Sequence, residues 1–453
     1  MEELKDSLIQ EATVNENITG SISMHIPDSP KPRVVIIGGG FGGIELIKKL
    51  KKSNLYQVVL FDRHNYHTFQ PLLYQVATAG LEPDSIAAPL RRIFKGYKDF
   101  YFRMAEVKKI LPEQNCIETS IGHLKYDHLV IATGSKTNYY GNEEIKQKSF
   151  PMKQIPQALD LRSKILQNYE KALICDNEEE RNSLMDIVIV GGGATGVELA
   201  GALSELRKHV LPHDLPEIDF QHMDIHLIDS GPRLLAGMSE NASKKSYEYL
   251  KSFGINIKLN TGVKSYDGYT ATLSDGSTII TQTLIWAAGV TGATIDGIKP
   301  ESIKANRYLV DSYNKIENHG NIYAIGDIAL MMKDDLPRGH PMVAQVAIQQ
   351  GKQLGENLTA LFEKKEPTIF QYKDPGSMAT IGRNRAVVDL GKFRFAGFFA
   401  WIMWMFVHLL FLVGFRNKAA TFVNWIISYF TYDRATRLII RPWVQSNIAT
   451  REE

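Results

Sequence analysis

Apolar residues in this chain are gathered into short unbroken runs separated by stretches with helical spacing. Arg33-Val34-Val35-Ile36-Ile37, Gln57-Val58-Val59-Leu60-Phe61, Asp186-Ile187-Val188-Ile189-Val190 and Asp224-Ile225-His226-Leu227-Ile228 are too short for helices and too continuous for strands with one wet face. They predict strands of a parallel sheet buried on both faces. Ile44 to Leu50 and Ala194 to about His209 carry the 3.6-residue spacing of helices, and Ile155 to Asn177 predicts a helical linker. Tyr126 to Gly134 and Thr283 to Gly289 read as further buried strands, each ending on small residues, and Asn321 to Asp327 as one ending on a carboxylate. Asn256 to Ile279 instead alternates apolar and polar residues around Ser274-Asp275-Gly276-Ser277, a hairpin signal, while Val210 to His222 reads as an inserted loop. Strands alternating with helices predict an α/β fold.

Two of the strands lead into glycine-rich turns and then helices. The first turn is Gly38-Gly39-Gly40-Phe41-Gly42-Gly43 and the second is Gly191-Gly192-Gly193-Ala194-Thr195-Gly196. In such a turn the first glycine permits the tight bend, the second lets backbone approach a pyrophosphate, and the third lets helix and strand pack, while free amides at the helix start attract phosphate. Each unit then needs a carboxylate at the end of its second strand for ribose hydroxyls, and Asp62 and Asp229 stand there. One such turn is a weak signal; two with strand, helix and acid in place predict two bound dinucleotides. Asp229 would repel a 2′-phosphate and so favours NADH over NADPH, although Arg233 nearby pulls the other way.

The order of elements predicts one Rossmann-like domain interrupted by another, with a helical segment at the end. The expected divisions are a polar extension at 1–32, the first domain at 33–150, the inserted domain at 151–310, the return to the first at 311–391, and a C-terminal membrane-anchoring region at 392–453. A chain of 453 residues, 44% hydrophobic and 23% charged, is large enough for this. Its net charge of +2 gives no reason to expect nucleic acid. The extension has no long apolar stretch, so no secretory signal or transit peptide is expected. Cys116 and Cys175 are far apart, which suggests a reducing compartment. His209 and His213 lack a third ligand, so no metal site is expected.

The tail changes the picture. Lys392, Arg394, Arg416, Lys418, Arg434, Arg437 and Arg441 face a single acid, Asp433, which points to an anionic lipid surface. Phe395 to Phe415 carries no formal charge and at ~1.5 Å per residue is long enough to cross a bilayer. A crossing would strand the basic residues beyond it on the far side, against the positive-inside bias. Two helices lying in the interface on one face is the expected arrangement.

With these motifs in view, the chain resembles the two-dinucleotide-binding-domain flavoproteins and, among them, the type II NADH:quinone oxidoreductases, which do not pump protons. The resemblance runs from about Arg33 to Arg441. It rests on the block from Asn65 to Gly80 (NYHTFQPLLYQVATAG), on Gly193-Ala194-Thr195-Gly196-Val197-Glu198-Leu199-Ala200, and on Ala344-Gln345-Val346-Ala347-Ile348-Gln349. It implies FAD on the first unit, contacted by Gly38, Gly39, Gly40, Phe41, Gly42, Gly43, Asp62, Arg63, Val107, Thr133, Gly134, Gly326, Asp327, Ala344 and Gln345. It implies NADH on the second, through Gly193, Gly196, Asp229 and Gly289. Gln345 and Gln349 are expected at the quinone, Glu198 as a carboxylate between the nicotinamide and quinone sides, and Lys392 near flavin and quinone. Monotopic docking on the cytoplasmic face of the inner (cell) membrane, often as a homodimer, is implied too.

The residues alone leave other readings open. Gln345 and Gln349 also fit an ordinary helix surface, Glu198 also suits the dipole of a helix first turn, and Tyr66, Phe69 and Tyr74 fit either a flavin wall or a core. Residues 63 to 115 contain no cysteine, which separates the chain from disulfide reductases and sulfide:quinone oxidoreductases of this fold. A sister enzyme with another donor, or a membrane-docked flavoprotein that senses NADH, are the alternatives.

Overall fold

The computed structural model describes residues 24–431, 437–439 and 443. The first 23 residues of the expected polar extension, together with Asp433, Arg434 and Arg441 of the basic tail, lie outside the described residues.

In chain order, the elements that position the site begin with β1 (Arg33–Ile37), α1 (Phe41–Ser53), β2 (Gln57–Asp62), β3 (Phe100–Met104), β4 (His128–Ile131) and β5 (Ser135–Thr137). There follow β6 (Phe150–Pro151), α2 (Ile155–Leu173), β7 (Ile187–Val190), α3 (Ala194–Glu205), β8 (Ile225–Ile228), β9 (Asn256–Lys258), β10 (Thr283–Trp286), β11 (Val290–Gly292) and β12 (Ile322–Ala324). Last come α4 (Ala344–Phe362), β13 (Ser377–Thr380), β14 (Ala386–Leu390), β15 (Phe393–Gly397), α5 (Phe398–Phe411) and α6 (Phe415–Thr431).

The first sheet is parallel throughout, in the order β12-β4-β1-β2-β3. The second is parallel throughout, in the order β6-β10-β7-β8-β9. Because β12 rejoins β4 after the whole second sheet has been made, the second Rossmann-like unit is inserted in the first. The continuous apolar runs are explained by burial: Val34, Val35, Ile36, Val58, Val59 and Leu60 have no exposed surface. Between the two units β5 pairs antiparallel with β11, Ser135 opposite Gly292. The Thr133 hydroxyl donates to the Ala293 carbonyl across the same joint at 2.7 Å.

Strands β13, β14 and β15 form an antiparallel sheet that touches α3, the helix Glu240–Ser252 and α5. Helix α6 is fastened to the first unit near one end, where the Asn417 amide donates to Ala87 O at 2.7 Å. Near its other end the Arg383 guanidinium donates to the carbonyls of Ser428 and Tyr429 at 2.7 and 2.8 Å.

Four expectations are corrected. Asn256–Lys258 is not hairpin but the edge strand of the second sheet, half-covered and so tolerant of polar residues. The hairpin turn at Ser274–Ser277 belongs to a three-stranded meander formed by Val263–Tyr266, Thr270–Leu273 and Thr278–Ile280. The helix expected to reach His209 ends as an α-helix at Glu205 and continues through one wide turn, Leu206–Val210, into Leu211–Asp214. Pro212 sits in the first turn of that short helix, where a missing N–H costs nothing, so part of the expected loop is helical. Finally, the uncharged run from Phe395 is divided: β15 takes its start, α5 has 14 residues, and Gly414, with φ of 90°, follows. At ~1.5 Å per residue α5 falls short of the ~30 Å of a bilayer core. No helix among the described residues is long and apolar enough to cross a membrane.

Candidate active site

The two glycine turns fold into matching geometries. Gly38 and Gly191 have φ of 110° and 116°, and a Cβ on them would lie 2.2 Å from Ala132 O and 2.4 Å from Ala287 O. Gly43 and Gly196 close each turn onto its own start: a Cβ there would stand 2.1 Å from Gly38 O and 1.9 Å from Gly191 O. Gly40 and Gly193, by contrast, face open space, with nothing within 4 Å of a Cβ. Each is the N-cap of its helix and has no capping side chain, so the first amides of α1 and α3 are left without intrahelical acceptors. Middle glycines that face room beside unspent amides are what a pyrophosphate requires.

The acids repeat as well. Asp62 accepts from Gly39 N (2.6 Å) through one carboxylate oxygen and from His64 N (2.7 Å) through the other. Asp229 accepts from Gly192 N (2.5 Å) and Gly231 N (2.6 Å) in the same manner. A carboxylate has about four acceptor sites, so each acid keeps roughly two for ribose hydroxyls. Burial pushes the Asp62 carboxyl up, opposed by the Gly39 and His64 amides and by the nearby charges of His64 and Arg63. Arg63 itself is exposed beside Asp62, and Val107 is buried in β-structure just beyond Ala105, whose N–H donates to Asp62 O at 3.0 Å. Arg233 is bonded to Met238 O and Ala236 O of its own loop at 2.9 and 2.7 Å, which leaves the open side of Asp229 to a ligand.

Phe41 packs edge-on against His67 (4.9 Å between ring centroids) and Phe69 (6.0 Å). His67 supports the first turn from beneath, its Nδ1 donating to Gly39 O at 3.2 Å, and burial lowers its pKa to about 4. Of the three aromatic residues left open by sequence, Phe69 and Tyr74 are buried in the core, and Tyr66 is half-buried, stacked on His64. Gly134 has φ of 69° and open space beside it. Gly326 N donates to Gln350 Oε1 at 2.7 Å, and Gly289 is covered by the Tyr140 ring, whose hydroxyl donates to Ala288 O at 3.1 Å.

Around Asp327 lies a group that sequence reading missed. The Ser135 hydroxyl donates to Asp327 Oδ2 at 2.5 Å, and Lys153 Nζ donates to the same hydroxyl at 2.8 Å while standing 3.9 Å from Asp327 Oδ2. Burial lowers the Lys153 pKa, and Asp327 opposes that. No local pattern marks this lysine; only the docking of two units brings it to Asp327.

Glu198 leaves the second cradle's helix and points away from the cradle. It is 6% exposed, and its Oε1 accepts from Thr380 N of β13 at 3.3 Å. Burial raises its pKa to about 8, against weaker opposition from the Thr380 amide and the Trp404 indole. The indole N–H lies near the carboxyl without completing a hydrogen bond. Trp404 stacks on His408 (4.1 Å) and packs on Trp425 (5.8 Å), whose indole donates to Gln75 Oε1 at 2.9 Å. A carboxyl on the nucleotide helix thus meets the aromatic face of α5 and α6.

Helix α4 brings Ala344 and Gln345 to its first turn, both half-buried. Gln349 is tied to the neighbouring segment: its Nε2 donates to Lys373 O (2.8 Å) and its Oε1 accepts from Lys373 N (3.0 Å). It could reach a quinone only by giving up both bonds. Lys392 stands exposed in the turn between β14 and β15, a hairpin whose Asp389 accepts from Ser239 N and Oγ at 2.6 and 2.8 Å. The structure does not bring Lys392 together with the cradle residues.

Residues 32–351 match the family model for pyridine nucleotide-disulphide oxidoreductases, and residues 375–432 match that of the NDH2 C-terminal domain. The chain is 34% identical over 418 residues to a type II NADH:quinone oxidoreductase of Mycobacterium tuberculosis, covering 89% of each. It is 32% identical over 388 residues to the type II NADH:quinone oxidoreductase of Haemophilus influenzae, covering 79% of this chain and 86% of that one. The chain belongs to the type II NADH:quinone oxidoreductase family. Among solved structures, NDH2 from Plasmodium falciparum in complex with NADH superposes with a TM-score of 0.84 at 22% identity, over 91% of this chain and all of that one. The sulfide:quinone oxidoreductase of Aquifex aeolicus superposes at 0.68 and 19% identity over 88% and 95%. Both likenesses are of fold.

As in other type II NADH:quinone oxidoreductases, FAD is the resident cofactor, and the first cradle fits it: open space at Gly40 and Gly134, spare lone pairs on Asp62, and free amides at α1. Cys116 is buried and Cys175 half-exposed, both free, so no thiol pair serves this site. Among the described residues no cluster of three or more His, Cys, Asp or Glu could hold a metal ion.

Proposed function

We propose that this chain oxidises NADH and delivers two electrons to a membrane quinone without pumping protons. The observation that carries this reading is that two matched dinucleotide cradles are joined at β5 and β11, and that the helix of the second carries Glu198 to a pair of apolar helices. The amides at the start of α3 hold the NADH pyrophosphate, Asp229 takes its ribose hydroxyls, and Gly289, which follows β10 beneath the Tyr140 ring, lies on the side of the nicotinamide half. Gly38 to Gly43, Asp62, Thr133, Gly134, Asp327 and Ala344 hold FAD, which when bound supplies the hydride-accepting and electron-donating chemistry.

The chain's own part is orientation and protons. With a pKa near 8, Glu198 is mostly protonated at neutral pH. Its Oε1 accepts from Thr380 N, which leaves Oε2 as the oxygen to carry the proton. Gln345 offers a neutral amide that donates to a quinone carbonyl and accepts from the resulting hydroxyl without changing charge. Gln349 serves by anchoring the segment at Lys373, and joins the quinone only if that anchor opens.

Docking of α5 and α6 at the inner face of the cell membrane belongs to the same proposal. Phe399, Ile402, Phe406 and Leu410 recur at helical spacing along α5, and Val423, Ile426, Ile427 and Phe430 along α6; all are exposed, Phe399 by 80% and Phe430 by 77%. So much contiguous apolar surface is unfavourable in water and favourable at a lipid boundary, with Lys392, Arg394, Arg416 and Lys418 close in sequence to meet headgroup phosphates. Self-association as a dimer is proposed with it.

Purified protein loaded with FAD and bound to vesicles should oxidise NADH rapidly when a quinone is added, with no acidification of the lumen. A stable reduced flavin with negligible turnover would instead favour an NADH-sensing role, and turnover with another donor alone would favour a sister activity.

A further inference from the structure

The order of strands fixes which way each dinucleotide runs. Across the C-terminal edge of the first sheet, Asp62 ends β2, Gly38 follows β1, Gly134 follows β4 and Asp327 comes after β12, and those strands lie side by side in that order. Neighbouring strands are ~4.8 Å apart. A dinucleotide with its ribose on Asp62 and its pyrophosphate on the α1 turn therefore extends its other half past Gly134 toward Asp327. The second sheet repeats the layout: Asp229 follows β8, Gly191 follows β7, Gly289 comes after β10 and Lys153 comes after β6, again in neighbouring order. A dinucleotide held there extends its other half toward β6.

One side chain stands at both far ends. Lys153 is rooted at the edge of the second sheet, where its backbone N–H donates to Gln157 Oε1 at 2.8 Å at the start of α2. Its ammonium crosses to the first unit, to Ser135 Oγ and Asp327. The side chain is 18% exposed, and its compensation is thin: one hydroxyl at 2.8 Å and one carboxylate oxygen at 3.9 Å for three N–H donors. Asp327 already accepts from Ser135 and shares its field with the Arg307 guanidinium. A buried cation held so loosely gains from a further negative partner.

We propose that Lys153 is the charge-setting residue of the junction between flavin and nicotinamide, its ammonium favouring the more negative charge that the flavin carries when reduced and so raising its midpoint potential. This rests on the function proposed above for the fold's two cradles. Lys153 is a positioning residue, poised by Ser135 and Asp327 from the far side of the joint.

The test is a spectroelectrochemical titration of the FAD-loaded protein, driven by a chemical reductant and independent of NADH. At a fixed potential Lys153→Met should show an about tenfold lower ratio of reduced to oxidised flavin, a fall of about 30 mV for a two-electron couple. Lys153→Arg should recover most of the difference, and Ser135→Ala, which loosens the ammonium, should shift the potential in the same direction by less. A wild-type potential in Lys153→Met would overturn the proposal, as would weaker FAD binding with no shift, since that marks a pyrophosphate contact. Should Lys153→Met fail to fold, an unshifted Ser135→Ala is decisive against it. A wild type unable to reduce quinone would remove the proposed function and leave this titration readable.

Discussion

Replacing Glu198 with glutamine should stabilise the protein, and only above pH 5. Burial raises the carboxyl from its ordinary pKa of 4.5 to about 8, so the folded state resists its ionisation while the unfolded chain does not. Below about pH 4.5 the group is protonated in both states and costs nothing. Between 4.5 and 8 the unfolded chain releases the proton and the folded one keeps it, so stability falls by about 1.4 kcal/mol per pH unit. The loss is therefore about 3 kcal/mol at pH 7 and levels near 5 kcal/mol above pH 8, order-of-magnitude figures from that shift. Glutamine keeps an acceptor for Thr380 N and never ionises, so it escapes the loss. The assay is thermal unfolding of wild type and Glu198→Gln from pH 4.5 to 9. The melting temperatures should coincide at the acid end and separate as pH rises, with the variant higher. A gap that is constant with pH, or one with the variant lower at pH 8, would rule out the buried neutral carboxyl and with it the proton assigned to Oε2.

Asp229→Ala removes two lone pairs facing the ribose and unties the amides of Gly192 and Gly231, so the KM for NADH should rise at least about tenfold and discrimination against NADPH should shrink, as steady-state kinetics with both donors would show. Gly196→Ala sets a Cβ 1.9 Å from Gly191 O, and calorimetry should find NADH binding lost while the FAD content of the preparation stays unchanged. Phe399→Glu with Phe406→Glu takes two exposed rings from the docking face; at about 1.5 to 3 kcal/mol per buried side chain, partition onto anionic vesicles should fall by at least about a hundredfold in a flotation assay. Unaltered flotation would mean that this face does not enter lipid.

Much of the site could be read from residue order. Each cradle is local: strand, glycine turn, helix and a carboxylate one strand further on lie within a single βαβ unit, and local sterics leave few other ways to fold it. Short continuous apolar runs specified the parallel sheets for the same reason, since a strand covered on both faces needs apolar side chains on both. The Phe395–Phe415 run shows where this ends, because its length permits a span, and only the pairing of β15 and the break at Gly414 divide it. Gln349 and Lys392 make the same point from the side of chemistry, the first drawn to the Lys373 backbone and the second left at a hairpin tip.

That two dinucleotides are bound, and at which turns of the chain, was already written in the order of residues, because a turn that cradles phosphate is built from consecutive positions. The burial of Glu198 against β13 and Trp404, and the reach of Lys153 across to Asp327, came into view with the folded molecule alone. Both depend on surfaces that come from far along the chain, and the protonation of a carboxyl or the compensation of an ammonium is set by what surrounds it in space.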